Sequence, residues 1–207
     1  MNQQQTYLQL LKKDLQTFDI SFQYKAPQLT IDSGGKSIQF LLIEDSFDYS
    51  ERARKKIVAM LRSKLGLNKT VFARQCELKK VDKTTANNFL NHYHLMNATQ
   101  SASNYGLFFK QELIAAASFS KGRKMNRLQV HERSFELIRF CCKEGITVTG
   151  GLTKLVKNFC REKNAGDVMT YVSKEFSDGK SFTNAGFKKH SETERNIKMI
   201  FTPDAKL

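Results

Sequence analysis

The chain has 207 residues and a formal net charge of +14, because 34 lysine and arginine residues outnumber 20 aspartate and glutamate residues. Hydrophobic residues make up 40% of the sequence and include 16 phenylalanines, enough for a folded core, while two prolines and 11 glycines argue against low complexity. No apolar run approaches the ~18 residues that a membrane span needs, and the N-terminus lacks the pattern of a secretory signal, so we expect a cytoplasmic protein without a membrane partner.

The positive charge is unevenly distributed along the chain. Residues 1–48 carry a net charge of −2, whereas residues 49–81 and residues 82–207 carry +8 each. A surplus of this size favours a polyanionic partner, and nucleic acid before a membrane surface. The alternative is a basic surface that serves solubility alone.

The first part of the chain predicts small elements. An amphipathic helix is expected over residues 6–18, where apolar residues such as Tyr7 and Leu15 recur at helical spacing. The stretch "DSGGKS" (32–37) predicts a hairpin turn between short strands, and "IQFLLI" (38–43) predicts a buried strand. This acidic segment is too small to carry a core alone.

The next predicted helix is strongly basic. "SERARKKIVAMLRSKLG" (50–66) begins with a serine N-cap and ends with a glycine C-cap. Apolar residues form one stripe, and lysines and arginines occupy much of the remaining surface. The basic side is either a solvated helix face or a contact for nucleic-acid phosphates. The second interpretation assigns nucleic-acid contacts to Arg52, Lys55, Lys56 and Arg62.

From residue 70 onward, short strands alternate with helices, and no internal repeat is visible. The four cysteines have neither disulfide nor zinc spacing, so they are interpreted as reduced core residues in a cytosolic protein. The predicted helices cover residues 82–94, 151–164 and 178–187. The predicted strands cover residues 70–81, two segments within 104–122 joined by the turn "KQE", 134–142, 167–176, and a final hairpin formed by "FKKHSET" and "IKMIFTP".

This order, with a glycine turn between the fourth strand and its helix, resembles that of the GNAT acyltransferases. The resemblance implies an α+β fold, in which helices flank a central mixed, mostly antiparallel sheet, behind a small N-terminal α/β appendage. In that family the amides of the glycine turn and the positive end of the helix hold the pyrophosphate of acetyl-CoA. The strand that follows the helix splays from its neighbour, and the acyl donor lies in the gap.

Four longer blocks make the resemblance narrower. They are similar to a phage-type, Mom-like GNAT domain that follows Vsr-like nuclease modules in homing-endonuclease-type proteins. Mom proteins modify adenine in DNA, so the resemblance implies DNA as a partner. One block departs from the family, because its usual Tyr-Ala-Asp-Arg-Arg-Trp-Ser reads "YVSKEFS" (171–177) here. The four blocks are "FARQCELKKVDKTTANNFLNHYHL", "YGLFFKQELIAAASFSKGR", "FELIRFCCKEGITVTGGLTKLVKNF" and "YVSKEFSDGKSFTNAGFKKH".

The segment upstream resembles the end of the Vsr-like module. "FLLIEDSFDYSERARKKIVAMLRSKLG" is similar to its last strand and final helix, but only about forty residues precede it. Asp32, Glu44 and Asp45 do not form the acidic arrangement that holds a nuclease metal ion, so they are interpreted as turn and cap residues. We therefore expect residues 1–66 to be a reduced, inactive appendage, residues 67–207 to be the GNAT-like domain, and no metal to be bound.

The turn "VTGGLTK" is the predicted cofactor site. Two hydroxyls and one ammonium group supplement the backbone amides there and suit a phosphate, and the resemblance to GNAT acyltransferases implies acetyl-CoA as the ligand. The basic first residue and the G-x-G spacing of the usual GNAT pattern are absent, so a tight turn that merely needs glycine is the alternative. The predicted cofactor-binding residues are Val148, Thr149, Gly150, Gly151, Leu152, Thr153 and Lys154.

Five residues are candidates for catalysis within this resemblance. Glu136 and Arg139 are expected on opposite faces of one strand, Glu136 as a general base and Arg139 either in the cleft or in a structural ion pair. Tyr171 and Ser173 lie on the strand that borders the acyl donor. His94 follows the first helix of the domain and is a candidate acid or base, with a structural role as the alternative.

The loop "SKGRKMNR" (120–127) completes the predicted sites. Its cations Lys121, Arg123, Lys124 and Arg127 either clamp a nucleic-acid backbone beside the cleft or are solvated. Two functions follow from these patterns. The first is transfer of an acyl group from acetyl-CoA to a nucleobase of DNA or to another amine. The alternative is a non-catalytic nucleic-acid-binding module derived from a phage homing-endonuclease-type protein.

Overall fold

A computed structural model describes residues 3–15, 20–25, 28–41 and 48–203. The chain divides into two compact units, Met1–Lys69 and Thr70–Leu207. The boundary predicted from the sequence, between residues 66 and 67, lies three residues earlier than this division.

The N-terminal unit contains two helices and a three-stranded antiparallel sheet in the order β1-β2-β3. The predicted hairpin turn is present, because Gly34 and Gly35 adopt positive φ angles between β2 and β3. The last two residues of the predicted strand "IQFLLI", together with Glu44 and Asp45, lie outside the described residues. The elements are α1 (Gln3–Leu15), β1 (Ser21–Lys25), β2 (Gln28–Ser33), β3 (Lys36–Leu41) and α2 (Glu51–Leu65).

The basic helix α2 begins and ends where its capping residues predict. The hydroxyl oxygen of Ser50 accepts a hydrogen bond from the amide of Ala53 at 3.2 Å, which satisfies one of the free amides of the first turn. Gly66 closes the helix in the left-handed conformation, with φ at +79°. The apolar stripe of α2 is buried through Ile57, Leu61 and Leu65.

The C-terminal unit is built on a seven-stranded sheet in the order β11-β12-β10-β8-β7-β6-β5. All neighbouring strands are antiparallel except β8 and β10, which are parallel. The strands of this sheet are β5 (Glu77–Lys80), β6 (Ser103–Phe109), β7 (Glu112–Phe119), β8 (Ser134–Cys142), β10 (Asp167–Ser173), β11 (Lys188–Glu192) and β12 (Asn196–Phe201).

Helices cover both faces of the sheet, which is why residues 114–119 of β7 are buried without alternation. The helices are α3 (Lys83–Tyr93), α4 (Gly151–Lys163) and α5 (Lys180–Asn184). Helix α4 packs on one face, where the ring of Phe159 stacks on that of Phe119 at 3.9 Å between centroids. Helix α3 packs against β6, β7 and β8 on the other face. This order of elements, with one parallel pair in a mixed sheet, is the GNAT fold that the sequence predicts.

Two short strands form a separate sheet that the sequence did not predict. β4 (Lys69–Phe72) pairs with β9 (Ile146–Thr149). The strand predicted over residues 70–81 is therefore broken, because a 3₁₀ turn at Ala73–Gln75 separates β4 from β5. The run that ends in the two glycines is likewise divided, since β8 ends at Cys142 and the chain turns before β9 begins.

The remaining elements are those predicted, with ends that differ by a few residues. β10 ends at Ser173 rather than at residue 176, because the carbonyl of Ser173 accepts hydrogen bonds from the amides of Phe176 and Ser177 and so closes a turn. α5 accordingly begins at Lys180 rather than at residue 178. In the described part of the chain, no helix is both long and apolar enough to cross a membrane.

Candidate functional site

The parallel strands β8 and β10 pair only over their first three residues, and the last pair joins Met169 to Glu136. Beyond it, the hydroxyl of Thr170 donates a hydrogen bond to the carbonyl of Leu137 at 3.0 Å. β10 then continues with β12 alone as far as Ser173. The two strands therefore separate, and we call the gap between residues 138–142 of β8 and the end of β10 the splay. The resemblance to GNAT acyltransferases implies such a gap beside the acyl donor.

A β-bulge lies on β8 where the splay begins. Ser118 of β7 pairs with Arg139 and Phe119 pairs with Leu137, so Ile138 is an extra residue without a partner in β7. Such an insertion interrupts the strict alternation of side chains along a strand. The bulge determines which side chains of β8 share a face.

The bulge corrects the expectation that Glu136 and Arg139 lie on opposite faces. Phe135 contacts the Phe159 ring of α4, and Phe140 packs against the same core, so both point towards α4. Their neighbours Glu136 and Arg139 consequently both point to the face that α3 covers. Strict alternation without a bulge would have separated them, because they are three positions apart.

Arg139 binds backbone rather than a carboxylate. Its Nε donates to the carbonyl of Asn97 at 3.1 Å, and its Nη1 donates to the carbonyl of Ile138 at 2.9 Å. Burial lowers the pKa of the Arg139 guanidinium, and the nearby charge of Glu136 opposes this shift. Arg139 thus joins the loop after α3 to the bulge, a role that the residue pattern alone does not indicate.

Glu136 is positioned through its backbone. Its amide donates to the hydroxyl oxygen of Ser120 at 2.9 Å, and its carbonyl accepts a hydrogen bond from the Ser120 amide at 3.0 Å. The Glu136 side chain is half-buried at the beginning of the splay. A carboxylate in this place is available to accept a proton from a group bound in the gap.

Tyr171 and Ser173 face the same side as Glu136 and Arg139. Thr170 and Val172 are buried, and Val172 belongs to the core that α4 covers, so the residues that alternate with them point to the other face. The Tyr171 side chain is 53% exposed there. Its phenol is therefore accessible at the splay, while Ser173 lies half-buried at the end of β10.

His94 also lies on the α3 side of the sheet. It follows α3, and its Nδ1 accepts a hydrogen bond from the amide of Met96 at 3.1 Å, which places the proton of a neutral imidazole on Nε2. The same loop provides the Asn97 carbonyl that Arg139 binds. The structure thus brings the five predicted catalytic residues to one side of the sheet, although Arg139 and His94 also hold the local backbone.

The start of α4 lies at the end of the sheet where the splay opens, because α4 connects the end of β8 to the beginning of β10. Gly150 precedes the helix with φ at +76°, and no side chain caps the first amides. Those amides belong to Gly151, Leu152 and Thr153. Uncapped amides at the positive end of a helix form a site that suits an anion.

The other predicted cofactor residues are divided between surface and core. Thr149 is exposed beside Gly150, whereas the side chains of Val148 and Leu152 are buried. Lys154 donates from its Nζ to the carbonyls of Ala73 and Cys76, at 2.9 and 2.6 Å. Its hydrogen bonds thus stabilise the 3₁₀ turn, although its positive charge remains in the first turn of α4.

The predicted nucleic-acid contacts on α2 are only partly on the surface. Arg52 is exposed, and Lys55 is exposed in an ion pair with Glu51 at 2.7 Å. Arg62 is half-buried. Lys56 corrects the prediction, because its side chain is 6% exposed next to the apolar stripe and its ammonium is not available to a phosphate.

The basic loop between β7 and β8 also differs from its prediction. Lys121, Arg123 and Lys124 are exposed. Arg127, by contrast, forms an ion pair with Asp167 at 2.7 Å, and Asp167 is 3% exposed. Because β7 ends where β8 and β10 begin, this loop lies at the end of the sheet opposite the splay and not beside it.

Arg127 should therefore affect stability rather than nucleic-acid binding. We expect Arg127→Gln to lower the free energy of unfolding by about 3 kcal/mol, because the buried Asp167 carboxylate loses its cation. Urea denaturation followed by circular dichroism measures this change. The exposed neighbour provides a control, since Lys124→Gln should change the free energy by less than about 0.5 kcal/mol. Equal effects of the two substitutions would contradict a structural role for the ion pair.

The cysteines and carboxylates do not form a metal site in the described residues. No group of three histidine, cysteine, aspartate or glutamate side chains is close enough there to hold an ion. None of the four cysteines forms a disulfide in the described structure. Burial raises the pKa of Cys142 to about 11 and that of Cys160 to about 12, which keeps both thiols protonated. Asp32 accepts a hydrogen bond from the hydroxyl of Ser21 on the neighbouring strand.

Comparisons with known proteins give distant structural similarities. No protein-family model matches the chain, and no curated protein matches it. Among solved structures, Naa50 of Arabidopsis thaliana, in complex with a bisubstrate CoA analogue, has 12% identity and a TM-score of 0.48, and covers 62% of this chain and 99% of its own. A Bacillus subtilis acetyltransferase in complex with CoA has 10% identity and a TM-score of 0.47, with coverage of 61% and 98%. The Escherichia coli ribosomal-protein-S18-alanine N-acetyltransferase has 11% identity and a TM-score of 0.47, with coverage of 61% and 93%. Such low identities and scores carry no inference about a substrate.

Proposed function

We propose that the C-terminal unit binds an acyl-CoA in the splay and transfers its acyl group to an amine. One observation carries this proposal: β8 and β10 separate after Glu136, beside a helix whose first amides no side chain caps. The gap offers space for an extended donor, and the helix start offers hydrogen bonds and positive potential for its pyrophosphate.

The open edge of β8 provides a second feature that suits CoA. Among the described residues, no strand pairs with residues 138–142 on the side that faces β10. Unpaired amides and carbonyls along a strand edge bind extended chains that carry amides, as in strand addition. The pantetheine arm of CoA contains two amide groups, so it can occupy this edge while its thioester lies near the bulge.

The side chains around the splay suit direct acyl transfer. The acceptor amine attacks the thioester carbonyl, a C–N bond forms, and the C–S bond breaks. Glu136, or a water next to it, accepts the proton that the amine loses. The released thiolate takes up a proton, and the exposed phenol of Tyr171 is positioned on the same face to donate it.

The charge of the chain supports nucleic acid as the carrier of the amine. The net charge is +14, and exposed cations include Lys121, Arg123 and Lys124 in one loop. The resemblance to Mom-like domains of phages and other mobile elements also supports a nucleic-acid acceptor, because Mom proteins modify adenine in DNA. The acceptor that we propose is therefore the exocyclic amine of a nucleobase in DNA.

A non-catalytic nucleic-acid-binding module is the second candidate. It is favoured by the position of the basic loop, which lies at the end of the sheet opposite the splay. The departure of "YVSKEFS" from the family block also supports it, because Ser173 replaces an aspartate there. Such a module would bind nucleic acid with strong salt dependence and would not bind acyl-CoA.

Titration with acetyl-CoA, followed by calorimetry, separates the two candidates. The transferase predicts a dissociation constant on the order of micromolar, and the binding module predicts no detectable heat. Two variants of one half-buried residue locate the site. Thr153→Glu should weaken binding at least roughly tenfold, because its carboxylate repels the pyrophosphate at the amides of α4.

The glutamate variant should fold, since a negative charge in the first turn favours a helix. Thr153→Gln is the matched control, because it removes the same hydroxyl with nearly the same size and adds no charge. It should change the affinity by less than about threefold. Equal affinities of the two variants for acetyl-CoA would mean that acetyl-CoA binds away from the start of α4. If the unmodified protein does not bind acetyl-CoA, the result favours the non-catalytic nucleic-acid-binding module.

A further inference from the structure

A second cleft lies at the β5 edge of the seven-stranded sheet, and β6 and β7 separate this edge from the splay. It has a volume of about 410 Å³ and forms where β5 ends, β6 begins and α4 ends. Its polar lining consists of Lys80, Lys83, Lys163, Ser101, Ser103 and Asn104.

The charge of the cleft is positive after its ion pairs are counted. The Nζ of Lys80 lies 2.5 Å from one oxygen of Glu162, and the Nζ of Lys163 lies 3.7 Å from the same oxygen. The single carboxylate of Glu162 therefore neutralises the charge of only one of these two ammonium groups. Lys83 forms no ion pair with any described residue, so the cleft retains a surplus of two positive charges.

Asn104 adds a hydrogen-bond donor at the wall of the cleft. Its side chain is 8% exposed, and its Oδ1 accepts a hydrogen bond from the hydroxyl of Ser101 at 2.9 Å. The Nδ2 group has no acceptor among the described residues. This amide is therefore available to donate a hydrogen bond to a ligand or a water in the cleft. Ammonium and amide donors together suit a ligand that only accepts hydrogen bonds, such as a phosphate.

The cleft continues into the basic loop. Ser103 at the start of β6 pairs with Phe119 at the end of β7, and the loop with Lys121, Arg123 and Lys124 follows at once. None of these three cations forms an ion pair with a described residue. We call the cleft and these three residues together the basal surface. A positive surface that extends beyond one cleft fits a chain of phosphates better than a single small anion.

We propose that the basal surface binds the backbone of a nucleic acid and that the cleft holds one of its phosphates. This inference rests on the proposed nucleic-acid partner but not on acyl transfer.

Fluorescence anisotropy with a labelled 20-base-pair DNA duplex, from 50 to 200 mM salt, tests the proposal on the full chain. The site variant is Lys83→Gln with Lys163→Gln. The control is Lys12→Gln with Lys188→Gln, which removes the same charge at exposed positions outside the cleft. The site variant should weaken binding at least roughly tenfold and reduce the salt slope by about 1.8, since each lost phosphate contact contributes about 0.9. The control should weaken binding by less than about threefold.

Equal losses in the two double variants, or no binding by the unmodified protein, would overturn the proposal. If the double variant of the site is unstable, Lys83→Gln alone can be tested, because this exposed side chain forms no ion pair with a described residue. It should still reduce the salt slope of DNA binding by about 0.9. Acetyl-CoA titration of the same variants separates this proposal from the transferase. Site variants that bind acetyl-CoA normally but bind DNA more weakly would support both the transferase and the basal surface. If the unmodified protein binds DNA but not acetyl-CoA, only the proposal for the basal surface is supported.

Discussion

Glu136→Gln is expected to lower the rate of acyl transfer by about 10²–10⁴-fold and to leave the affinity for acetyl-CoA unchanged. The substitution keeps the shape of the side chain and removes its capacity to accept a proton. The backbone hydrogen bonds between Glu136 and Ser120 do not involve the carboxylate, so the strand should keep its geometry. Single-turnover transfer to an amine-containing acceptor, combined with calorimetry, measures the rate and the affinity separately.

Glu144→Gln provides the matched control, because Glu144 is exposed in the turn that follows β8. The Glu144→Gln variant has the same chemical change outside the splay, so it should transfer the acyl group at the normal rate. A rate unchanged in Glu136→Gln would mean that water alone removes the proton. A rate and an affinity that fall together would instead show that Glu136 helps to hold the donor.

Phe159→Ala is expected to lower the free energy of unfolding by about 3–5 kcal/mol. The Phe159 ring is fully buried, stacks on Phe119, and makes edge contacts with Tyr105 and Phe135. Its removal leaves a cavity between α4 and three strands, β6, β7 and β8, and such a site cannot collapse easily. Urea denaturation followed by circular dichroism measures the loss.

The exposed Phe72 offers a control for this substitution, since its side chain is 43% exposed. Phe72→Ala should cost less than about 1 kcal/mol, because it opens no cavity. A loss below about 1 kcal/mol in Phe159→Ala as well would mean that the stacked rings are not the centre of the core.

Local signals explain what could be predicted from the sequence. The caps of α2 depend on Ser50 and Gly66 alone, and both are where the sequence places them. The strands and helices of the GNAT fold likewise follow from hydrophobic spacing within each segment, and the paired glycines before α4 signal a turn whichever strands surround it. These features need no knowledge of distant residues.

Features of the site depend on residues far apart in the chain. The bulge at Ile138 arises from the register between β8 and β7, which no spacing within β8 shows. Lys154 binds carbonyls about eighty residues earlier, at Ala73 and Cys76. From the sequence alone, Arg127 is predicted to be a solvated or nucleic-acid-binding cation in a polar loop. Its ion pair with Asp167 depends on the tertiary structure.

The sequence by itself thus determined the order of the helices and of the strands in the seven-stranded sheet, the positive charge and the glycine turn, because each depends on residue type and short-range spacing. Only the tertiary structure decided that Glu136 and Arg139 share a face, that the basic loop lies opposite the splay, and that three lysines converge on a second cleft. These properties depend on strand register and on which ends of the strands meet. Packing between residues far apart in the chain selects this register and determines which strand ends lie together. The residue pattern of the sequence alone is compatible with several registers and several arrangements of the strand ends.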